Sequence, residues 1–304
     1  DKFKEMCVCA ERVFLAPYGA EQVFVYDPRT GKSHCVNVSV AGTEPRRFHA
    51  ICEASGKVFL APHASYVKML VYDPKTEKSA GIDVNIGNPW AAYGMCEAAG
   101  KVFLLGQAEV RKDPKATFVR QVSVFVMYDP YSGEFTHIEI PADFGPSEGS
   151  RSFSAMCEAS GKVLLAPARA EKMLIYDPMT GKSTGIDVSQ AVERWDAVGK
   201  FSAICEASGK VYLAPSNAKA VFVYDMNTGE STCIDVSYIL PGLDCKFSSM
   251  CVSQGKVFMA PARARHLLMV SIHTGEVETI DVSKATKGLS EDASAFAAIC
   301  EVDG

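Results

Sequence analysis

"FSAICEASGKVYLAPSNAKAVFVYDMNTGESTCIDV", Phe201 to Val236, contains four short runs that favour β structure: Phe201–Cys205, Lys210–Ala214, Ala220–Tyr224 and Ser231–Val236. Aromatic and β-branched residues dominate the inner two, and Gly, Asn, Asp and Pro punctuate the gaps. "EASG" joins the first pair and "DMNTG" the last. In such turns Asp or Asn bonds its own backbone and Gly accepts positive φ. The stretch therefore predicts an antiparallel meander of strands A, B, C and D.

The same unit recurs along the chain. "SGKVFLAP" starts at Ser55, "SGKVLLAP" at Ser160, "SGKVYLAP" at Ser208 and "QGKVFMAP" at Gln254. Cys7, Cys52, Cys96, Cys157, Cys205, Cys251 and Cys300 hold one equivalent position, with gaps of 45, 44, 61, 48, 46 and 49 residues. Repeats at such a period stack one supersecondary unit. A single meander cannot bury both of its apolar faces, but a ring of them can. Runs such as "VFLAP" and "VFVYD" lack polar alternation, as sheets covered on both faces require. The expected fold is all-β: one β-propeller domain over residues 1–304, with repeats near 3–47, 48–91, 92–152, 153–200, 201–246 and 247–295 and a partial copy at 296–304. Six four-stranded antiparallel blades are expected and seven are the alternative. "FAAICEVDG", Phe296 to Gly304, supplies only strand A of a further copy. It is expected to compete with or replace Phe3–Cys7 in closing the ring.

A glycine turn, a "KVYLA"-like strand, then "VxVYDPxTG" and a closing Ile resembles the repeat of NHL, YVTN and kelch-like propellers. The pairing of "GKVxLAPxxA" with "VxVYDPxTG" is most similar to repeat proteins of uncharacterised role in algae and other protists. The resemblance covers nearly the whole chain and implies a propeller fold; it brings no catalytic residues with it.

The 304 residues carry a formal charge of −5 and a pI near 5.8, which give no general attraction to nucleic acid or anionic membrane. No apolar stretch approaches the roughly 18 residues that span a bilayer, so a soluble protein without membrane insertion is expected. Disulfide partners need Cα atoms within about 7 Å, and equivalent positions in stacked units are generally farther apart. The repeated cysteines are accordingly read as buried, reduced thiols acting as small hydrophobes, which favours a reducing intracellular compartment.

In such a ring the A–B and C–D turns share one rim, nearly uniform in sequence. The B–C loops and D–A crossovers share the other, and nearly all the variation sits there. Binding residues concentrate on loops held by a rigid scaffold. Arg46, Arg47, Arg111, Arg120, Arg151, Arg169, Arg194, Arg263 and Arg265 fall on or beside this variable rim, as do Trp90 and Trp195. Lys112, Lys115 and His266 complete the candidate partner-binding set. Arg and Trp often anchor interfaces, although acids on the same loops, such as Glu44, Glu171 and Asp196, offer local pairing instead. Copy three carries an insertion, Gly106 to Ser123, read as a projecting hairpin that docks on an acidic partner surface.

For chemistry the sequence offers little. Glu53, Glu97, Glu158, Glu206 and Glu301 follow the repeated cysteine and are read as cross-turn partners of a lysine four residues on, in preference to a cation-binding ring. The inner strands, such as "FSAMC" and "FSSMC", are small or apolar, and His49 is the strong exception. No catalytic grouping, metal-ligand spacing, phosphate loop or cofactor fingerprint is evident. The expectation is a noncatalytic protein-binding or scaffold subunit whose partner is a protein, within a larger assembly. The alternatives are a binder of small anionic or sugar-like ligands and, third, a lactonase-type hydrolase.

Overall fold

The computed structural model describes residues 2–42, 48–63, 68–84, 90–110, 120–141, 144, 151–192, 199–239, 244–287 and 295–302; of residues 90, 109, 110, 120 and 121 it describes the backbone. Its fold is a six-bladed β-propeller, each blade a four-stranded antiparallel sheet in meander order. Blade 1 holds β1 (Phe3–Cys9), β2 (Arg12–Pro17), β3 (Gln22–Asp27) and β4 (Lys32–Asn37). Blade 2 holds β5 (Phe48–Ala54), β6 (Lys57–Pro62), β7 (Met69–Asp73) and β8 (Lys78–Ile82). Blade 3 holds β9 (Trp90–Ala98), β10 (Lys101–Val110), β11 (Arg120–Tyr128) and β12 (Phe135–Ile138). Blade 4 holds β13 (Phe153–Ala159), β14 (Lys162–Pro167), β15 (Lys172–Asp177) and β16 (Lys182–Asp187). Blade 5 holds β17 (Phe201–Ala207), β18 (Lys210–Pro215), β19 (Ala220–Asp225) and β20 (Ser231–Asp235). Blade 6 holds β21 (Phe247–Ser253), β22 (Lys256–Pro261), β23 (His266–Ser271) and β24 (Val277–Asp281).

The chain divides into two compact halves, residues 1–151 and 152–302. In each half the apolar runs fill the spaces between successive blades. In the first, Phe14, Val23 and Val25 of blade 1 pack with Phe48, Leu60 and Leu70 of blade 2. In the second, Leu164, Met173 and Ile175 of blade 4 pack with Phe201, Leu213 and Phe222 of blade 5. Residues on both faces of the middle strands are thus buried, which explains the missing alternation. Burying one such Phe side chain is worth about 2–3 kcal/mol.

The turns of the uniform rim satisfy themselves. Asp27 Oδ1 accepts the N–H groups of Arg29 and Thr30, and Asp73, Asp177 and Asp225 repeat the arrangement. The A–B turn is a two-residue hairpin with positive φ at both positions, as at Ser55 (52°) and Gly56 (75°). Here the structure corrects the reading of the glutamates. Glu53 accepts the N–H of Gly56 at 2.6 Å, and Glu97, Glu158 and Glu206 do the same for Gly100, Gly161 and Gly209. These carboxylates cap a turn three residues on, so their partner is backbone N–H and not a lysine.

A second correction concerns the ends. β1 is the inner strand of blade 1, paired with β2 from Phe3 to Cys9, and residues 295–302 belong to no strand. The C-terminal segment therefore does not replace Phe3–Cys7. It lies beside blade 6 instead, with Ala295 N–H donating to Ala262 O at 2.8 Å and Ile299 N–H to Ser249 Oγ at 3.4 Å. The equivalent cysteines are also less uniformly covered than expected: Cys52 and Cys96 are buried, whereas Cys7, Cys157, Cys205, Cys251 and Cys300 are partly exposed. All eleven cysteines are free thiols. Burial pushes the Cys251 thiol up to about 11, with smaller contributions from Cys300 and Glu301.

Candidate functional site

The variable loops rest on a backbone frame common to several copies. Three successive N–H groups of the first B–C loop, from Tyr18, Gly19 and Ala20, converge on Lys2 O at 2.9, 3.0 and 3.1 Å. Ala168, Arg169 and Ala170 converge likewise on Ser152 O, and Ser216, Asn217 and Ala218 on Lys200 O. The receiving carbonyl belongs in each case to the residue just before the inner strand. Proline ends strand B and releases the chain into this loop, because it has no N–H to continue the ladder. Loop side chains can therefore vary without moving the loop base.

In the second half this frame is reinforced by buried lysines. Lys200 is 1% exposed, and its Nζ donates to Arg169 O at 3.1 Å and Ala170 O at 3.3 Å. Lys246 is 5% exposed and donates to Ser216 O and Ala218 O, both at 3.2 Å. Each ammonium ties the inner strand of one blade to the B–C loop of the blade before it. Burial holds the Lys200 amine below its ordinary range, with Glu171 opposing and Arg169 assisting.

Of the residues singled out from sequence, Arg151, Arg263 and Arg265 are exposed, and Arg169 and His266 are half-buried. Arg169 Nε and His266 Nδ1 are buried without hydrogen-bond partners. Arg151 lies over the Tyr93 ring with Cζ 4.3 Å from its centroid. Trp90 opens β9 and Arg120 opens β11, while Arg46, Arg47, Arg111, Lys112, Lys115, Arg194 and Trp195 lie outside the described residues. The insertion in blade 3 prolongs both of its middle strands: β10 and β11 stay in register from Val102↔Tyr128 to Val110↔Arg120.

Sequence reasoning missed a second group. Every inner strand carries a bulge where the register with strand B shifts, after its first ladder residue in five blades and after its third, Ala92, in blade 3. A bulge re-aims the residue it leaves unpaired. That residue is Ser154, Ser202 or Ser248 in the second half, but Lys4, His49 or Tyr93 in the first. Tyr18 and His63, the first residues of the B–C loops of blades 1 and 2, gather on His49. Tyr18 meets His49 and His63 edge-on, at centroid distances of 5.8 and 5.2 Å. His49 and His63 stack at 5.7 Å, and Lys4 Nζ lies 5.5 Å from the Tyr18 centroid. Burial pulls His49 down to about 4; Arg151, His63 and Lys4 add to the effect, and a hydrogen bond to the Tyr93 backbone opposes it. One step on from Lys4, Glu5 accepts the Ile51 N–H at 3.0 Å, and burial raises its carboxyl to about 8. Aligning the six copies on the residue three before the repeated cysteine would have exposed this series.

No group of three or more metal-ligating side chains occurs among the described residues, and no helix among them is long and apolar enough to cross a membrane.

No family model and no curated protein sequence matches this chain. Solved structures do match. The extracellular domain of the B. thetaiotaomicron protein BT4673, named as a hybrid two-component system, superposes with a TM-score of 0.68 at 12% identity, over 98% of this chain and 35% of that one. This chain thus spans about a third of that protein's length. The WD40 repeats of RRP9 superpose with a TM-score of 0.61 at 10% identity, over 92% of this chain and 79% of that chain. U3-55K gives 0.60 at 11% identity, over 92% and 80%. At these identities the likeness is one of fold alone, the β-propeller. It does not extend to NHL, YVTN or kelch-like repeats in particular, nor to algal or protist relatives.

Proposed function

We propose that this chain is a noncatalytic protein-binding or scaffold subunit that engages a protein partner through its variable loops, within a larger assembly. The observation that supports this reading is the contrast between loop backbone and loop side chains. Loops as different as "PYGA", "PARA" and "PSNA" are pinned by the same convergence of N–H groups on one carbonyl. A fixed frame presenting unlike side chains is what a rigid recognition surface needs. The turns at the other end of the blades spend their polar groups on themselves. The prolonged β10–β11 hairpin adds reach on the variable side, and exposed Arg151, Arg263 and Arg265 supply anchors suited to carboxylates.

Quantitative cross-linking of native complexes tests the reading. Arg263→Glu, Arg265→Glu and replacement of residues 109–117 by a short Gly-Ser turn are expected to remove a common partner while leaving the circular dichroism spectrum unchanged. Met179→Ser, on the turn of the uniform rim where Met179 is exposed, is expected to retain it. The opposite pattern, with partner loss confined to Met179→Ser, overturns the proposal.

A further inference from the structure

The bulge residues of blades 1–3 form a group that the loop-mediated reading does not use. At two repeat positions on the same side of the blades, the first half carries rings and cations where the second half carries small residues. The bulge position reads Lys4, His49 and Tyr93 against Ser154, Ser202 and Ser248, and the position after the strand B motif reads Tyr18, His63 and Gln107 against Ala168, Ser216 and Ala262. Two of the serines turn back on their own blade, with Ser154 Oγ donating to Ala166 O and Ser248 Oγ to Ala260 O, both at 3.3 Å. Lys4, Tyr18, His49 and His63 turn toward one another instead.

Among the described residues, the charged groups that act on His49 are all basic. They are Arg151, His63 and Lys4. The acid nearest in sequence, Glu5, is engaged by the Ile51 N–H and keeps its proton up to about 8. Among the described residues Arg151 forms no ion pair; its Cζ lies over the Tyr93 ring, 4.3 Å from the centroid, and a guanidinium offers a fork of two N–H donors to an oxyanion. His49 Nδ1 is buried without a partner. Arg151 is exposed, and Lys4, Tyr18 and His63 are half-buried, so the cluster is open to solvent.

We propose that Lys4, His49, His63 and Arg151 form a binding site for a small oxyanion, a dicarboxylate or a phosphate, with Tyr18 and Tyr93 as the aromatic supports that hold the basic groups in place. An anion here opposes the effect of Arg151, His63 and Lys4 on His49 and stabilises its protonated form. Binding therefore raises the pH at which folded His49 takes up its proton above the value of about 4 that it has without the anion. The site binds and does not catalyse.

The test is a titration of the histidine ring signals by NMR, assigned through His49→Gln and His63→Gln. Succinate and inorganic phosphate are the probes that separate the two sources of the anion, and sodium chloride at equal ionic strength and succinamide are the controls. One probe at least is expected to raise the His49 midpoint by half a unit or more, on the order of a threefold shift in its proton equilibrium. Calorimetry is expected to show at least about tenfold weaker binding of that probe to Arg151→Met, since one charge-assisted pair is lost. Ser202→Ala, at the equivalent bulge of blade 5, is expected to leave affinity unchanged. Midpoints that respond no more to either probe than to chloride overturn the proposal, as does equal affinity in the wild type and Arg151→Met. Lys4→Gln guards against a folding artefact: it should weaken the same probe with its melting temperature intact, and undiminished binding there also counts against the site.

Discussion

Blades 1–3 and blades 4–6 are built to one plan but finished differently. The second half is regular. Phe153, Phe201 and Phe247 open its inner strands at 0, 1 and 2% exposure, serines fill its bulges, buried lysines tie its blades, and glycine occupies every C–D turn position that takes positive φ. The first half departs at three of these points. Phe3 is partly exposed, Ala92 replaces the phenylalanine in blade 3, Lys4, His49 and Tyr93 fill the bulges, and Glu77 adopts φ 57° where glycine is usual. Natural chains break local rules where function or compensation intervenes. The first half thus breaks local rules that the second half keeps.

The largest effect should come from the regular core. Phe201→Ala removes a fully buried ring that packs 6.5 Å from Phe222, and a loss of about 3–5 kcal/mol is expected in denaturant unfolding. Phe3→Ala, at the matching position of blade 1, should cost roughly 1–2 kcal/mol because less area leaves water. Equal losses would erase the contrast between the halves.

Lys200→Met comes next. It leaves the carbonyls of Arg169 and Ala170 without the ammonium donor, and it also removes a buried charge. The lost hydrogen bonds outweigh the relief of desolvation, giving a loss of about 1–2 kcal/mol by thermal unfolding. Lys2→Met at the equivalent, exposed position of blade 1 should change stability by less than about 0.5 kcal/mol. A neutral Lys200→Met would mean that the lysine ties are incidental.

Two substitutions sharpen the comparison through pH. Folded His49 titrates at about 4 against an ordinary 6.5, so the unfolded chain binds the proton more readily between those values. Its contribution to stability is full above 6.5 and is lost as pH falls to 4. His49→Gln should flatten the decline in melting temperature over that interval. Glu5 has the opposite sign: its carboxyl titrates at about 8 against 4.5, so its contribution is full below 4.5 and is lost as pH rises to 8. Glu5→Gln keeps an acceptor for Ile51 and should flatten that loss. Ser202→Gln, in the second half, should leave both slopes as they are.

The smallest effect is at a turn. Glu77→Gly relieves a left-handed backbone and should stabilise the protein by about 1 kcal/mol or less. Gly181→Ala, at the matching turn of blade 4 with φ 69°, should destabilise it by a similar amount. Chemical denaturation with both variants decides whether the irregular turns of the first half carry strain.

The sequence determined the blade. Its four strands, their meander order and the turn residues are local, since each follows from a few adjacent side chains, and the observed strands of blade 5 match those read from Phe201–Val236 within two residues at every end. The roles of the repeated glutamate and of the bulge residue were not legible in the same way. Glu53 had Lys57 and the Gly56 N–H equally within reach along the chain, and only the hairpin geometry chose the N–H. Tyr18, His49, His63 and Tyr93 belong to three blades and are separated by 14 to 75 residues in sequence. Antiparallel pairing within each blade and packing between neighbouring blades bring them together. A register shift of one residue at the start of β5 turns His49 out of the ladder toward His63, and no propensity or spacing in the chain encodes that direction.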